Sequence, residues 1–77
     1  TQYPSLALRE NIESDVVLKF RVDVDGSISD IIVMESGGRM FDVSAIDAVH
    51  NTKWNPATQE GNAVAVTYEL PFEYRSH

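Results

Sequence analysis

The chain has no cysteine in its 77 residues. A disulfide framework, a thiol nucleophile and a cysteine-ligated zinc site are therefore excluded. A chain this short without such cross-links must be stabilised by a well-patterned hydrophobic core. The absence of cysteine leaves the cellular compartment open, because such a domain folds equally well in cytosol or periplasm.

Basic residues are scarce, with 6 Lys and Arg against 12 Asp and Glu and a formal net charge of −6. A nucleic-acid-binding protein needs a basic patch to neutralise phosphates, so we expect no nucleic-acid partner. The sequence also has no signal peptide and no apolar run near the roughly 18 residues of a membrane span. Since the chain starts at Thr1 rather than methionine, we expect a fragment of a longer protein.

The chain length favours one domain over residues 1–77. A domain of this size buries only about 60–65% of the surface that its unfolded chain exposes. Little room remains for a deep, dry catalytic cleft beside the core, so we expect a protein that is not an enzyme.

Hydrophobic periodicity predicts most of the elements. Pro4 suits the first turn of a short helix over residues 5–11. From Val16 the period changes to two, which predicts a strand as far as Val24, and Asp25-Gly26 is typical of a two-residue hairpin turn.

The second strand, over residues 27–36, does not follow this pattern cleanly. A two-residue turn would place Leu18 opposite Val33 and Phe20 opposite Ile31 on the core face. Ile28 is out of phase with that set. The sequence therefore indicates either a bulge near residues 29–30 or a longer turn.

The C-terminal half predicts a helix, a loop and a strand. We expect Asp42 to cap a second helix, which ends before Pro56. Residues 57–62 are polar and predict a loop, and alternation from Val64 to Tyr74 predicts a long last strand. The predicted fold is α+β, with two helices packed on one face of a three-stranded antiparallel sheet.

No combination of residues indicates catalysis, a metal site or a cofactor. A calcium loop starting at Asp23 would need glycine and glutamate where Ile28 and Met34 stand. The two histidines, His50 and His77, have no recognisable nucleophile partner. The acidic residues near the first hairpin predict a solvated surface, and a weak cation site is a minor alternative.

The last strand is a candidate sheet edge that carries little protection. Ala63, Ala65 and Thr67 are small and uncharged, and only the later half has charge and proline, at residues 69, 71 and 73. Such an edge permits a partner peptide to add as a strand. An edge covered by the chain's own N-terminal residues is an equally good interpretation of the pattern.

Taken in order, the motifs resemble the C-terminal domain of TonB-family energy transducers over nearly the whole chain. The matching pieces are Tyr3-Pro4 with Ala7, the turn Asp25-Gly26, Ser36-Gly37, the helix pattern of Asp42, Ala45, Ala48 and Val49, Pro56, Gly61, and Pro71-Phe72-Glu73-Tyr74. The sequence departs from the family pattern at Ser14, where glycine is usual, and at Thr52, where the first aromatic of the junction is missing. It also departs in charge, because the best-known members are basic.

The resemblance implies a periplasmic protein anchored in the inner membrane by a segment absent from this chain. Such a protein takes proton-motive force from an ExbB–ExbD motor and delivers it to outer-membrane receptors for siderophores, haem or cobalamin. The receptor segment called the TonB box adds to the last strand. The implied contact residues are Val64, Ala65, Val66, Thr67 and Tyr68, with Gln2, Tyr3 and Pro4 as a second region.

Other functions for the same fold stay open. One is an adaptor domain in another envelope complex, TolA-like or secretion-related, which the acidic charge favours. Another is a docking or dimerisation domain of a sensor. The oligomeric state is also open between a monomer and a strand-swapped homodimer, because a long terminal strand on a short chain makes exchange easy.

Overall fold

The computed structural model describes residues 12–75. The elements in chain order are β1 (Ser14–Val22), β2 (Ile28–Glu35), α1 (Arg39–Asn51), β3 (Ala57–Gln59), β4 (Asn62–Val64) and β5 (Val66–Tyr74). The helix predicted over residues 5–11 lies outside the described residues. Within residues 12–75, no helix combines the length and the apolar composition needed to cross a membrane.

The three long strands form an antiparallel sheet in the order β2-β1-β5. The core lies on one face of this sheet, between β1 and α1. Its buried residues are Val16, Leu18, Phe20, Val22, Phe41, Ala45, Val49 and Tyr74. The α+β class and the three-stranded antiparallel sheet are confirmed. The described residues contain one of the two predicted helices.

The hairpin between β1 and β2 has a three-residue loop. Asp23 donates its N–H to the carbonyl of Ser27 at 2.8 Å and accepts from the N–H of Gly26 at 2.9 Å. Gly26 has φ 86°, the left-handed conformation that follows a type I turn in such loops. The prediction of a two-residue turn is therefore wrong, and the longer turn that the sequence left open is present.

A bulge, the other alternative that the sequence left open, also interrupts β2. Lys19 pairs with Ile32 whereas Arg21 pairs with Ser29, so β2 has one residue too many at this point. Asp30 takes up the irregularity with φ 53°. A bulge of this kind bends the strand and resets which side chains face the core.

The bulge explains the phase of the isoleucines in β2. Ile28 and Ile31 both pack against the core although they are three positions apart. Leu18 lies opposite Val33, as predicted, although Val33 is exposed and not part of the core. Strict alternation would have turned one of the two isoleucines towards solvent.

The helix begins earlier than predicted. It starts at Arg39, and the residue before it, Gly38, has φ 103° and makes no side-chain cap. The prediction of Asp42 as the cap is wrong, because this residue lies one turn inside α1. Its carboxylate instead accepts hydrogen bonds from the N–H of Gly37 at 2.9 Å and from the hydroxyl of Ser36. The loop before the helix is thereby fixed to its first turn.

Residues 57–62, predicted as a loop, include a second hairpin. β3 and β4 pair across a turn whose two residues, Glu60 and Gly61, have φ 52° and 82°. Positive φ at both positions is the geometry of a type I′ turn. Each strand has three residues, too few for alternation to be visible in the sequence. The predicted last strand is also divided, because Ala65 separates β4 from β5.

Candidate partner-binding site

β5 forms one edge of the main sheet. It pairs with β1 along its whole length, from Val66 opposite Val22 to Tyr74 opposite Ser14, without a shift of register. In the part of the chain that the structure describes, no strand pairs with its other side. A regular strand with an unpaired edge can accept another strand through backbone hydrogen bonds.

The predicted contact residues fall on both sides of the break before β5. Val64 is the last residue of β4, and Ala65 separates the two strands. The remaining three, Val66, Thr67 and Tyr68, are the first residues of β5. The second predicted region, Gln2, Tyr3 and Pro4, lies outside the described residues. Five of the eight residues are thus described, and they form one sequence segment that spans the end of β4 and the start of β5.

The direction of the backbone groups in β1 follows from its hairpin. The N–H and the C=O of Asp23 both form hydrogen bonds with residues on the β2 side of the hairpin, Ser27 and Gly26. Successive residues of an antiparallel ladder direct these groups to opposite sides. Because β1 pairs regularly with β5, its odd-numbered residues face β2 and its even-numbered residues face β5.

The same rule identifies the backbone groups that β5 leaves unpaired. Even-numbered residues of β5 lie opposite even-numbered residues of β1 and pair with them. The odd-numbered residues, which we call the open edge, direct N–H and C=O away from β1; they are Thr67, Glu69, Pro71 and Glu73. Pro71 fits this assignment, since a proline opposite Val17 removes no hydrogen bond from the ladder.

Of the five predicted residues in this segment, one belongs to the open edge. Val66 and Tyr68 pair with β1, and Thr67 faces outwards. In the second hairpin, Asn62 flanks the two-residue turn and pairs with β3, so Val64 two residues later also pairs with β3. Backbone donors for a partner are therefore available mainly beyond the predicted segment, at Glu69 and Glu73.

The side chains of β5 form two rows. The even-numbered row faces the core, where Tyr68, Leu70 and Phe72 are half-buried and pack against the buried residues. On the opposite face, Glu69 and Glu73 are exposed. A strand added at the open edge would meet an apolar row on one face and an acidic row on the other.

Aromatic packing holds the start of β5. Phe20 of β1 contacts Trp54, with ring centroids 5.0 Å apart, and Tyr68, at 6.1 Å. Trp54 also donates its indole N–H to the carbonyl of Val49 at 2.9 Å, near the end of α1. Trp54 packs at the junction between helix and strand, and it thereby supports the beginning of β5.

The other end of β5 is fixed by Tyr74 and Arg75. The Tyr74 ring packs on Phe41 at 4.9 Å, and its hydroxyl lies 3.1 Å from that of Ser44. Burial raises the pKa of Tyr74. Arg75 pairs with Asp15 at 2.6 Å, and this hydrogen bond raises the pKa of Arg75. Both interactions hold β5 against its neighbours, so its edge is presented by a supported strand.

The acidic hairpin uses its carboxylates internally. Asp23 accepts hydrogen bonds from Arg21 at 2.6 Å and Ser29 at 3.0 Å, which lower its pKa. Asp25 accepts from the hydroxyl and the N–H of Ser27, and its pKa is also lowered. Among the described residues, no three histidine, aspartate or glutamate side chains come together as metal ligands would. The hairpin carboxylates therefore stabilise the turn.

From the sequence, Glu69, Pro71 and Glu73 protect the later half of the last strand against strand addition. In the structure, the amides of Glu69 and Glu73 point away from β1 and can donate to a partner strand, whereas Pro71 has no N–H to donate. Pro71 itself was the available signal, because a proline in a paired strand indicates which alternate residues face outwards.

Comparison with known proteins gives a consistent family. The family model described as Gram-negative bacterial TonB protein C-terminal matches residues 1–76. Protein TonB of Xanthomonas campestris is 30% identical over 74 residues, which are 95% of this chain and 33% of that protein. Protein tonB2 of Pseudomonas aeruginosa is 33% identical over 75 residues, covering 96% and 28%. The chain thus spans about a third of the length of these relatives.

A solved structure supports the same fold. The TonB2 protein of Vibrio anguillarum matches with a TM-score of 0.76 and 32% sequence identity. The alignment covers 96% of this chain and 72% of that one. The resemblance first indicated by sequence motifs therefore extends to the three-dimensional structure.

Proposed function

The chain belongs to the family of Gram-negative bacterial TonB C-terminal domains, and from that premise we propose that residues 1–77 act as one receptor-binding domain of an energy transducer. The domain binds the TonB box of an outer-membrane receptor by strand addition at the open edge of β5. The transducer is anchored in the inner membrane, works in the periplasm and takes its energy from an ExbB–ExbD motor. The receptor imports siderophores, haem or cobalamin.

The observation that carries this proposal is the regularity of β5. Its nine residues pair with β1 without a shift, and Thr67, Glu69 and Glu73 direct their amides outwards. The opposite edge of the sheet, β2, has two register shifts and the left-handed Asp30. Bulges disrupt strand addition. The geometry therefore favours β5 over β2 as the docking edge.

Strand addition suits the transmission of force. A peptide paired with β5 shares the load among several backbone hydrogen bonds when it is pulled along the strand. The domain in turn resists the load through the continuous β1–β5 ladder. This role requires binding and mechanical coupling, and no catalytic step.

The test is a titration of the domain with a TonB-box peptide, followed by backbone amide shifts. We expect the largest shifts at Thr67, Glu69 and Glu73 and small shifts in β2. Residues 2–4, the second predicted contact region, are monitored in the same spectra. A peptide that shifts only β2, or nothing, contradicts the proposal.

Two variants at one position sharpen the titration. Glu69→Pro removes an outward amide and leaves the ladder with β1 intact, so we expect it to weaken or abolish binding. Glu69→Ala loses the same carboxylate but keeps the amide, so it is the matched control and is expected to bind the peptide more tightly than Glu69→Pro. Dispersed amide spectra of both variants verify that they fold. Equal binding by the two variants would contradict strand addition at this edge.

A further inference from the structure

The open edge of β5 has a chemical pattern as well as backbone groups. We propose that it selects a peptide strand with five successive residues in the order basic, apolar, any residue, apolar and basic. This inference rests on the proposed strand addition and specifies the partner. The five positions lie opposite Glu69, Leu70, Pro71, Phe72 and Glu73 in turn.

The apolar positions follow from the core-facing row. Leu70 and Phe72 are half-buried and pack against the core. Their own backbone N–H and C=O groups bond to β1, so an added antiparallel strand meets them in non-hydrogen-bonded pairs. The Cα atoms of such pairs are only about 4.5 Å apart, which brings the side chains close together. Apolar partner residues would cover the part of Leu70 and Phe72 that water still reaches.

The basic positions follow from the outer row. Glu69 and Glu73 are exposed, and neither forms an ion pair within residues 12–75. Partner residues opposite them form hydrogen-bonded pairs, with Cα atoms about 5.5 Å apart and side chains on the same face. Opposite charges at directly facing positions stabilise a strand pair, and like charges destabilise it.

The charges near this row neutralise it only in part, because Arg75 attracts Glu73 electrostatically but forms its ion pair with Asp15. Lys19 lies across from Glu69 in the β1–β5 register but makes no ion pair among the described residues. Across from Glu73 lies Asp15, which is already paired with Arg75 at 2.6 Å. The acidic row is therefore available on the side from which a partner strand approaches.

Pro71 fixes the centre of the pattern. Pro71 offers the partner residue opposite it neither an N–H nor a charge, so no residue type is specified at this position. The two basic positions lie at equal distances from that centre. The pattern thus reads the same in both chain directions.

The test compares three synthetic peptides that differ only at the two outer positions, which are lysine, glutamine or glutamate. Affinities are measured by calorimetry at physiological salt, with amide shifts to verify binding at β5. From typical cross-strand charge pairs, we expect lysine to bind roughly two- to tenfold tighter than glutamine and glutamate to bind weakest. Equal affinities of the three peptides would overturn the inference and leave the proposed strand addition standing.

Two double variants separate the local effect from net charge. Glu69→Gln with Glu73→Gln removes the acidic row and is expected to abolish the preference for lysine. Glu35→Gln with Asp47→Asn removes two charges elsewhere and is expected to keep it. Glu35 on β2 lies three strand spacings from the peptide, about 14 Å, which exceeds the Debye length of roughly 8 Å.

The outcomes distinguish the inference from its premise. If none of the three peptides shifts the β5 amides, the proposed strand addition itself fails. If all bind at β5 but the control double variant loses the preference for lysine as fully as the β5 variant does, selectivity comes from net charge and the inference is wrong. The expected result is loss of the preference only when Glu69 and Glu73 are changed.

Discussion

The indole N–H of Trp54 donates a hydrogen bond of 2.9 Å to the backbone carbonyl of Val49. Carbonyl groups in the last turn of a helix have no partner within the helix. Trp54 supplies one from the segment that leads to the second hairpin, while its ring packs on Phe20. The Trp54 side chain thus provides a hydrogen bond for a carbonyl at the end of α1 and connects the helix to the sheet.

Substitutions at Trp54 separate these two contributions. Trp54→Phe keeps an aromatic ring against Phe20 and loses the hydrogen bond, so we expect a loss of about 1 kcal/mol in the free energy of unfolding. Trp54→Ala also loses the packing, for a total of about 3 kcal/mol. Urea denaturation followed by circular dichroism measures both. Equal losses in the two variants would show that the ring contributes nothing.

Gly26 illustrates two separate requirements for glycine at one position. Its φ is 86°, and an added Cβ would lie 2.7 Å from the carbonyl oxygen of Trp54. Gly61 has a similar φ of 82° with no atom within 4 Å of an added Cβ. We expect Gly61→Ala to destabilise the fold by about 1 kcal/mol and Gly26→Ala by clearly more. The difference between their unfolding free energies measures the close approach, and a difference of zero contradicts it.

The sequence predicted the α+β fold from periodicity, and it indicated a bulge or a longer turn because Ile28 was out of phase. The turn length was not accessible in the same way, since Asp25-Gly26 suits a two-residue turn and Gly26 also suits the end of a three-residue turn. This ambiguity matters for the site. A two-residue turn would reverse the alternation in β1 and put Pro71 in a hydrogen-bonded pair. The three-residue turn and Pro71 together determine which amides of β5 point away from β1.

The short second hairpin could not be predicted for a related reason. Strands of three residues show no measurable period, and Glu60 is a non-glycine residue at positive φ. The start of α1 was missed because Gly38 has no side chain to signal a cap, whereas Asp42 offers a good one in the wrong place. In both cases backbone conformation determined the element and left little trace in residue type.

Asp23 should titrate below the ordinary range of an aspartate. Hydrogen bonds from Arg21 and Ser29 lower its pKa. Because the folded pKa lies below the unfolded one, this interaction stabilises the fold above about pH 4 and is lost as the pH falls through the folded value. Carboxyl carbon shifts followed by NMR measure the pKa. Arg21→Gln should raise it, whereas Arg39→Gln, an equal change of charge, should leave it unchanged.

Tyr74 should titrate above the ordinary value of a tyrosine. Burial raises its pKa, because the ionised form would have to lie in the core beside Phe41. Its neutral form contributes stability that is complete below the unfolded pKa of about 10 and is lost as the pH rises through the folded value. The difference in tyrosinate absorbance between the wild type and Tyr74→Phe reports this group. A midpoint at or below 10 would contradict the burial argument.

The assignment of the open edge predicts alternating hydrogen exchange along β5. Amides of Tyr68, Leu70 and Phe72 pair with β1 and should exchange slowly, whereas those of Thr67 and Glu69 should exchange at least about tenfold faster. NMR-detected exchange in the domain without peptide measures each amide separately. The reverse alternation would show that the backbone directions inferred from Asp23 are wrong.

Pro71→Val extends this test to the proline position. Because the missing N–H of Pro71 faces outwards, the new amide of valine should also exchange fast and leave the ladder with β1 unchanged. We expect the free energy of unfolding to change by less than about 1 kcal/mol. The added donor removes the gap in the open edge, so sedimentation should show more self-association than in the wild type. A slowly exchanging amide at position 71 would place this residue in the ladder instead.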